Sequence, residues 1–99
     1  MPKFRLTRDA DLDVAEILWS GAEKFGIAAS RSYAAGLFAL FERLAQNPAI
    51  GRSTVGGDMV TRRHPYRRHV VFYDVTSYGI SILRIYPMAR LLSADDQPD

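Results

Sequence analysis

The first residues of the chain alternate between polar and apolar side chains. Within residues 3–7, Phe4 and Leu6 point to one side and the charged or polar positions to the other, which predicts a short, half-buried strand. The side chain of Thr7 or Asp9 can accept a hydrogen bond from a free N–H group in the first turn of a helix. We therefore expect a helix to begin directly after this strand.

Two stretches with the helical spacing of apolar residues follow the strand. The first stripe comprises Ala10, Val14, Ile17, Leu18, Gly21 and Phe25, and the second comprises Tyr33, Leu37, Leu40, Phe41 and Leu44. Gly26 can adopt the left-handed conformation that ends a helix, and Asn47-Pro48 ends the second one. So short a connection predicts an antiparallel helical hairpin. Trp19 and Phe38 lie off the stripes, so they either widen the core face of the hairpin or await a partner.

The second half of the chain has the pattern of strands. Three strands are predicted, at residues 59–64, 68–75 and 80–86. Pro65-Tyr66 is expected to turn the first of them, and Pro87 to end the last. The middle strand is apolar on both faces, which is typical of a central position in a sheet. The element order β-α-α-β-β-β predicts an α+β fold, an antiparallel sheet with the N-terminal helical hairpin packed on one face.

Length and composition limit the classes of function. Ninety-nine residues suffice for a single domain, residues 1–99, in which we expect residues 87–99 to form a partly flexible tail. The absence of cysteine excludes disulfides and thiol nucleophiles, so the cytoplasm is the simplest location. No apolar run approaches the roughly 20 residues that span a bilayer. Because His64 and His69 have too few further ligands nearby in sequence, we expect neither a metal site nor a cofactor.

Basic residues are concentrated in the second half of the chain. Residues 52–90 contain seven arginines against Asp58 and Asp74, and the segment 62–69, RRHPYRRH, holds four of them with both histidines. A bias of this kind attracts a phosphate backbone or an acidic partner. Alternatively, it is the solvated surface of a sheet.

Ribonuclease chemistry is one interpretation of these residues. Cleavage of RNA through the 2′-hydroxyl needs a base and positive charge beside the phosphate. The side chains that could supply both from a sheet face are Arg62, Arg68, Tyr73, Arg84 and Tyr86. The alternative is that strand arginines point to solvent and protect the sheet edges, and that Tyr73 is a core aromatic with its hydroxyl at the edge of the core. The residues by themselves leave both interpretations open.

Short motifs in a family-like order run along nearly the whole chain. They are Leu6, Thr7, Ala10, Leu12 and Ile17 at the first helix, Phe25-Gly26 before the second, Leu37, Phe41, Leu44, Ala45, Pro48, Gly51 and Arg52 along and after the second helix, Arg62, Pro65 and residues 69–73 (HVVFY) in the sheet, and Gly79, Ile80, Ile82, Arg84 and Ile85 in the last strand. In this order and at this spacing, the chain resembles the ParE toxins of the RelE/ParE superfamily.

The resemblance implies the toxin of a type II toxin–antitoxin module. Its partner would be a ParD-like antitoxin, in a hetero-oligomer, with a disordered C-terminal segment that folds on the toxin. ParE-like toxins inhibit DNA gyrase, and so replication, by binding rather than as enzymes, and direct nucleic-acid binding is not expected outside these complexes. RelE-like relatives share the fold but cleave mRNA on the ribosome. That alternative predicts that Arg62, Arg68 or Tyr86 is required for RNA cleavage.

The resemblance also suggests where the partners bind. We expect the antitoxin to contact Trp19, Leu37, Phe38, Phe41, Arg62, Arg63 and Arg68. We expect the target to contact the end of the last strand and the tail, at Arg84, Tyr86, Arg90, Leu91 and Leu92. This segment reads YPMARLL, with Pro87 where ParE-like proteins usually carry a histidine. The change removes one candidate catalytic group and favours inhibition by binding.

Overall fold

The computed structural model of the chain describes residues 2–53 and 61–95, and the side chains of residues 92–95 are outside that description. The elements in chain order are β1 (Lys3–Leu6), α1 (Arg8–Phe25), α2 (Ile27–Gln46), a 3₁₀ turn (Pro48–Ile50), β2 (Arg52–Ser53), β3 (Thr61–Tyr66), β4 (His69–Thr76), β5 (Gly79–Pro87) and α3 (Met88–Asp95). The α+β class and the N-terminal helical hairpin are confirmed. The predicted strand residues Met59 and Val60 lie outside the described part of the chain.

Five strands form one mixed sheet in the order β1-β5-β4-β3-β2. The pairs formed by β2 to β5 are antiparallel, as expected. β1 instead runs parallel to β5, with Lys3 beside Gly79 and Leu6 beside Ile82. The sheet is therefore not antiparallel throughout, because β1 pairs with a strand distant in sequence, and no tight turn fixes the direction of such a pair. β4 lies in the centre of the sheet, as its two apolar faces predicted.

Local contacts fix both ends of α1. The Thr7 hydroxyl accepts a hydrogen bond from the Ala10 N–H group at 3.1 Å and donates one to the Leu83 carbonyl at 2.8 Å. The same side chain therefore caps the helix and ties its start to β5. At the other end, Gly26 has a φ of 93°, a conformation that favours glycine, and α2 begins at the next residue.

The core lies between the hairpin and one face of the sheet. Its buried apolar residues are Ala10, Val14, Leu37, Leu40, Phe41, Leu44, Ala45, Val71, Tyr73, Ile80, Ile82 and Ile85. Leu37 and Phe41 are both 0% exposed. This corrects the expectation that they contact an antitoxin, since their side chains are enclosed by the core. Phe25, the last member of the first helical stripe, is instead 61% exposed.

The turn between β3 and β4 lies two residues later than predicted. Pro65 and Tyr66 belong to β3, Tyr66 pairs with His69, and Arg67 turns the chain with a φ of 52°. Among the described residues, β2 pairs only with the first half of β3. Position 65 therefore lies at a free edge of the sheet, where the missing N–H group of proline breaks no ladder.

A third helix follows β5, where the sequence pattern indicated only a partly flexible tail. α3 covers Met88–Asp95, and the Met88 N–H group donates to the Arg68 carbonyl at 2.7 Å. This bond fixes the start of α3 against the β3–β4 turn. Residues 96–99, the rest of the acidic end, lie outside the described residues. Across the described ranges, every helix is too short or too polar to cross a membrane.

Candidate functional site

The sheet carries a basic surface on the side opposite the hairpin, which we call the outer face. Residues that pair directly across neighbouring strands project to the same side. One such row runs through four strands and consists of Arg52, Arg63, Phe72 and Arg84. Neighbouring rows on this side add Pro65, Val70, Tyr86 and, on β1, Arg5. Because the alternate residues Val71 and Tyr73 are buried beneath the hairpin, these side chains point away from it.

Two arginines contact the ring of Tyr86 at the end of β5. The guanidinium carbon of Arg84 lies 4.6 Å from the centroid of the Tyr86 ring, and that of Arg90 on α3 lies 5.1 Å from it. Phe72 packs edge-on against the same ring, at a centroid distance of 5.6 Å. Cation–π contacts of this kind hold guanidinium groups on an aromatic surface. We call Arg84, Tyr86 and Arg90 the Tyr86 cluster, and it unites three of the residues expected to contact the target.

Arg84 is also held by a carboxylate that the sequence analysis did not single out. Asp13 on α1 accepts hydrogen bonds from Nε and Nη2 of Arg84 at 2.9 and 3.2 Å, and from the Ile85 N–H group at 2.8 Å. The hydrogen bond to Asp13 raises the pKa of the Arg84 guanidinium. Since β1 accompanies β5 only as far as Ile82, Asp13 also covers the edge of β5 that β1 leaves open.

Arg62 and Tyr73 hold the loop that follows α2. The Tyr73 hydroxyl donates to the Pro48 carbonyl at 2.6 Å and accepts from the Gly51 N–H group at 2.9 Å. Nη1 of Arg62 donates to the Gly51 carbonyl at 2.7 Å. Tyr73 is 0% exposed, and this burial raises the pKa of its hydroxyl. The interpretation of Tyr73 as a core aromatic is confirmed.

The residues considered for RNA cleavage therefore do not converge. Arg62 and Tyr73 pair with each other on the hairpin side of the sheet, whereas Arg84 and Tyr86 lie on the outer face. Arg68 lies in the β3–β4 turn, where its guanidinium carbon is 5.6 Å from the ring centroid of Phe25. A catalytic site requires its groups to meet around one reacting atom, and of these five residues only Arg68 and Tyr86 line a common groove.

A groove of about 1160 Å³ separates the hairpin from the end of β5 and the start of α3. Its basic lining residues are Lys24, Arg67, Arg68 and Arg90, and we call it the basic groove. Asp13 and Glu16 also line it, but the Asp13 carboxylate is already engaged by Arg84. The groove is therefore suited to an acidic segment rather than to a basic one.

A hydrogen-bonded pair, His69 and Tyr33, also lines the basic groove. The Tyr33 hydroxyl lies 2.7 Å from Nδ1 of His69. Burial lowers the pKa of His69 below its ordinary value of 6.5, so the imidazole is neutral at pH 7. Burial raises the pKa of Tyr33, which keeps its hydroxyl protonated. A neutral phenol therefore bonds to a neutral imidazole, and neither side chain carries charge.

Large apolar side chains remain exposed on the hairpin. The exposed set is Leu12, Trp19, Phe25, Ile27 and Phe38. Trp19 is 69% exposed, so it does not widen the core face. Phe38 is 36% exposed and also packs against Phe4, with ring centroids 6.0 Å apart. Trp19 therefore belongs to an uncovered surface and not to a widened core face. Phe38 belongs partly to both.

The remaining residues predicted to bind partners lie in separate places. Arg63 is on the outer face, and Arg62 is turned to the hairpin side. Arg68 is the one predicted antitoxin-binding arginine that contacts an exposed apolar residue of the hairpin, Phe25. Leu91 on α3 is half-buried. The side chain of Leu92 lies outside the described residues.

The histidines are engaged in hydrogen bonds within the chain. Nδ1 of His64 donates to the Pro65 carbonyl at 2.7 Å, and His69 is paired with Tyr33 as described above. No group of three or more His, Cys, Asp or Glu side chains in residues 2–53 and 61–91 is arranged to hold a metal ion.

Comparison with known proteins identifies the class to which this fold and these surfaces belong. The family model described as "ParE toxin of type II toxin-antitoxin system, parDE" matches residues 4–92. The chain is therefore a toxin of a type II toxin–antitoxin system.

Two individual relatives agree with the family match. The chain is 31% identical over 85 residues to Toxin ParE1 of Caulobacter vibrioides, a match that covers 86% of this chain and 88% of that protein. Its fold is similar to that of a chain from the chromosomal ParDE toxin–antitoxin system of P. aeruginosa, with a TM-score of 0.73, 19% identity, and coverage of 88% of this chain and 96% of the other. The chain belongs to the ParE toxin family, as its motifs predicted.

Sequence reasoning missed three residues that shape these surfaces: Arg52, Phe72 and Asp13. Alternation along β4 does place Phe72 on the face opposite Tyr73. Which arginines stand beside Phe72 depends on strand register, and the pattern within one strand carries no signal for that. For Asp13, nothing in its neighbourhood in sequence indicates a bond to β5.

Proposed function

We propose that this toxin inhibits DNA gyrase, and so replication, by binding to it, and that a ParD-like antitoxin neutralises the toxin. The observation that carries the proposal is the arrangement of the polar side chains. The five residues considered for RNA cleavage do not all meet at one point, while apolar and basic surfaces remain open. Such a molecule is suited to binding rather than to catalysis. The name ParDE, in the family description and in the P. aeruginosa system, supports a ParD-type partner.

The antitoxin segment should be an amphipathic helix that lies on the hairpin and reaches the basic groove. Its apolar side chains would cover Trp19 and Phe25, because exposed large aromatic residues are the favoured anchors of protein interfaces. Phe25 lies beside Arg68, at the border between the hairpin and the basic groove. Acidic side chains of the same segment can therefore meet Arg68 and Lys24. A contact of this kind is steered by charge and weakened by salt.

Replacing Trp19 with Asp tests this part of the proposal. It should weaken antitoxin binding about tenfold or more, because truncating a central aromatic anchor typically costs about 2 kcal/mol or more. Titration calorimetry with the purified antitoxin measures the dissociation constant. The matched control is Val75→Asp, since Val75 is 53% exposed and lies near the end of β4, whereas the basic groove is lined by His69 at the start of that strand. An equal effect of the two substitutions, or none, would exclude the hairpin from the interface.

Gyrase binding is assigned to the Tyr86 cluster and α3. The residues of this surface are Arg84, Tyr86, Arg90, Leu91 and Leu92. Arg84 already bonds to Asp13. The exposed Arg90 is therefore the positive charge of this surface that is most available to bind gyrase. Replacing Arg90 with Glu should therefore reduce toxicity, whereas Arg31→Glu, the same charge reversal on the exposed side of α2, should not. Both variants must unfold at the temperature of the parent protein for the comparison to count.

A brief induction of the toxin without antitoxin tests the target itself. DNA and protein synthesis are followed by uptake of labelled precursors in the same culture. Gyrase inhibition predicts that DNA synthesis falls first, with induction of the DNA-damage response. With purified gyrase, the toxin should increase the amount of cleaved DNA trapped on the enzyme. If protein synthesis stops first, the toxin does not act by inhibiting gyrase.

RNA cleavage on the ribosome is the second candidate, because one observation favours it. A neutral histidine, His69, lines the same groove as Arg67 and Arg68, and a neutral imidazole beside cations has the chemistry of a general base. This candidate predicts a rapid loss of protein synthesis and of intact mRNA on induction. It also predicts that His69→Ala abolishes that loss while the variant remains folded.

A further inference from the structure

Five arginines of this molecule lie on a different surface from most of its exposed large apolar side chains. The apolar ones are concentrated on the hairpin, as described above. The outer face carries Arg5, Arg52, Arg63, Arg84 and Arg90. Among the described carboxylates, Asp13 is bonded to Arg84, Asp9 also contributes to raising the pKa of Arg84, and Oδ1 of Asp74 accepts from the Thr61 hydroxyl at 3.1 Å. A surface rich in arginine and poor in apolar anchors is typical of contact with nucleic acid rather than with protein.

Arg52 and Arg63 occupy directly opposed positions on β2 and β3. Both are exposed, and no carboxylate in residues 2–53 or 61–91 pairs with either. Like charges opposite each other destabilise a sheet, and an anion between them removes that repulsion. A concavity of about 440 Å³ lies at this position, lined by Ile50, Arg52, Arg63, His64, Pro65 and Val70. A phosphate group fits both the charge and the forked geometry of the two guanidinium groups.

The arginines of the outer face are spread across the sheet. Arg52, Arg63 and Arg84 belong to one cross-strand row. With neighbouring strands about 4.8 Å apart, the row extends over roughly 14 Å. The Tyr86 cluster lies at one end of this span and the concavity at the other. A single small anion occupies one end only, whereas a polyanionic backbone reaches both.

We propose that the outer face binds the phosphate backbone of duplex DNA without reading its base sequence. A single strand is bound chiefly by stacking its bases on exposed aromatic rings. Here Tyr86 is engaged by Arg84, Arg90 and the edge of Phe72, so the aromatic residues of this face hold arginines instead of bases. This proposal departs from the expectation that the toxin does not bind nucleic acid directly outside its complexes. The inference stands apart from the gyrase proposal, since it concerns DNA without any other protein.

The salt dependence of DNA binding tests this inference. The purified full-length toxin is titrated into a fluorescein-labelled duplex of about 20 base pairs and mixed sequence, and anisotropy is measured between about 50 and 200 mM KCl. The plot of log K against log salt concentration should have a slope of about −3. This value corresponds to about three neutralised phosphates, since each contributes roughly −0.9. Arg52→Gln and Arg63→Gln should each make the slope shallower by about 0.9, and the double variant by about twice that.

Arg31→Gln is the control, because it removes the same charge from the exposed side of α2. Equal slopes for Arg31→Gln and the two outer-face variants would overturn the proposal, as would an undetectable affinity of the parent protein. Tighter binding of the single strand, or displacement of the duplex by polyglutamate at equal charge, would also overturn it. Thermal unfolding shows that each variant is folded. If Arg63→Gln unfolds, Arg52→Gln on the two-residue strand β2 carries the test alone.

The DNA-binding proposal and the gyrase proposal can be refuted independently of each other. Loss of the gyrase effect in cells leaves the affinity for naked DNA unchanged. An absence of DNA binding, conversely, leaves the order in which DNA and protein synthesis stop unaffected.

Discussion

Replacing Tyr73 with Phe removes the one oxygen atom by which this core side chain bonds to the loop that follows α2. That oxygen donates to the Pro48 carbonyl and accepts from the Gly51 N–H group, at 2.6 and 2.9 Å. Both bonds hold the loop between α2 and β2 against the sheet. The ring itself keeps its place in the core, so the substitution isolates the hydroxyl. We expect the variant to fold and to be clearly less stable.

The magnitude follows from what the substitution leaves behind. Gly51 is buried, so its N–H group loses its partner without gaining water, at a cost of about 1–3 kcal/mol. The second lost hydrogen bond, to Pro48, contributes about 1 kcal/mol. The sum, about 2–4 kcal/mol, is a large part of the roughly 5–15 kcal/mol that holds a domain of this size folded. The unfolding temperature should fall by about 10–20 °C.

Urea unfolding followed by circular dichroism measures the change. A loss of about 3 kcal/mol lowers the midpoint by roughly 2 M, for a slope near 1.5 kcal/mol per molar urea. Tyr78→Phe is the matched control, because the Tyr78 hydroxyl has no hydrogen bond within the described residues and the ring keeps its contact with Arg5. The control should change stability by less than about 0.5 kcal/mol. Equal midpoints for the two variants would refute the argument that the Tyr73 hydroxyl holds the loop.

Three further predictions concern the hairpin and its contacts. Asp13→Ala should destabilise the protein more than Asp11→Ala in urea unfolding, because Asp13 alone of the two bonds to β5; similar losses would contradict this. Gly36→Ala should lower the unfolding temperature although alanine favours a helix by about 1 kcal/mol, since the new methyl group would collide with the Tyr66 hydroxyl. Adding Tyr66→Phe should then restore most of the loss, and a stabilised single variant would disprove the collision. Burial lowers the pKa of His69 below 6.5, so the unfolded chain binds a proton more readily than the folded one. The contribution of His69 to the free energy of unfolding should be fully present above pH 6.5. It should be lost as the pH drops towards the folded-state pKa. An equal fall in His69→Asn would assign the pH dependence to other groups.

Some of this structure could be predicted because its causes are local in sequence. The helical spacing of apolar residues, the Thr7 cap and the Gly26 turn each involve residues within a few positions of one another, and they define α1 and α2. The two apolar faces of residues 68–75 likewise indicated a central strand. The predictions from these patterns agree with the structure because apolar residues with helical or strand spacing lie on one side of an element, and that side packs against the core.

The candidate site depended on contacts that local patterns do not contain. Arg90 was predicted to belong with Arg84 and Tyr86, and the structure does bring them together. That Arg52 and Arg63 continue the same face across Phe72, however, follows from strand register. The helical pattern of α2 identified Leu37 and Phe41 as apolar but could not tell a core residue from an exposed one.

The sequence by itself determined the helical hairpin, most of the strands and, through its motifs, the family. Only the tertiary structure decided that β1 runs parallel to β5, that the chain turns at Arg67, and that α3 starts against that turn. It also decided which arginines share a face. The physical reason is that side-chain periodicity is fixed by the geometry of one helix or strand, whereas direction, register and burial are fixed by the packing of all elements around a common core.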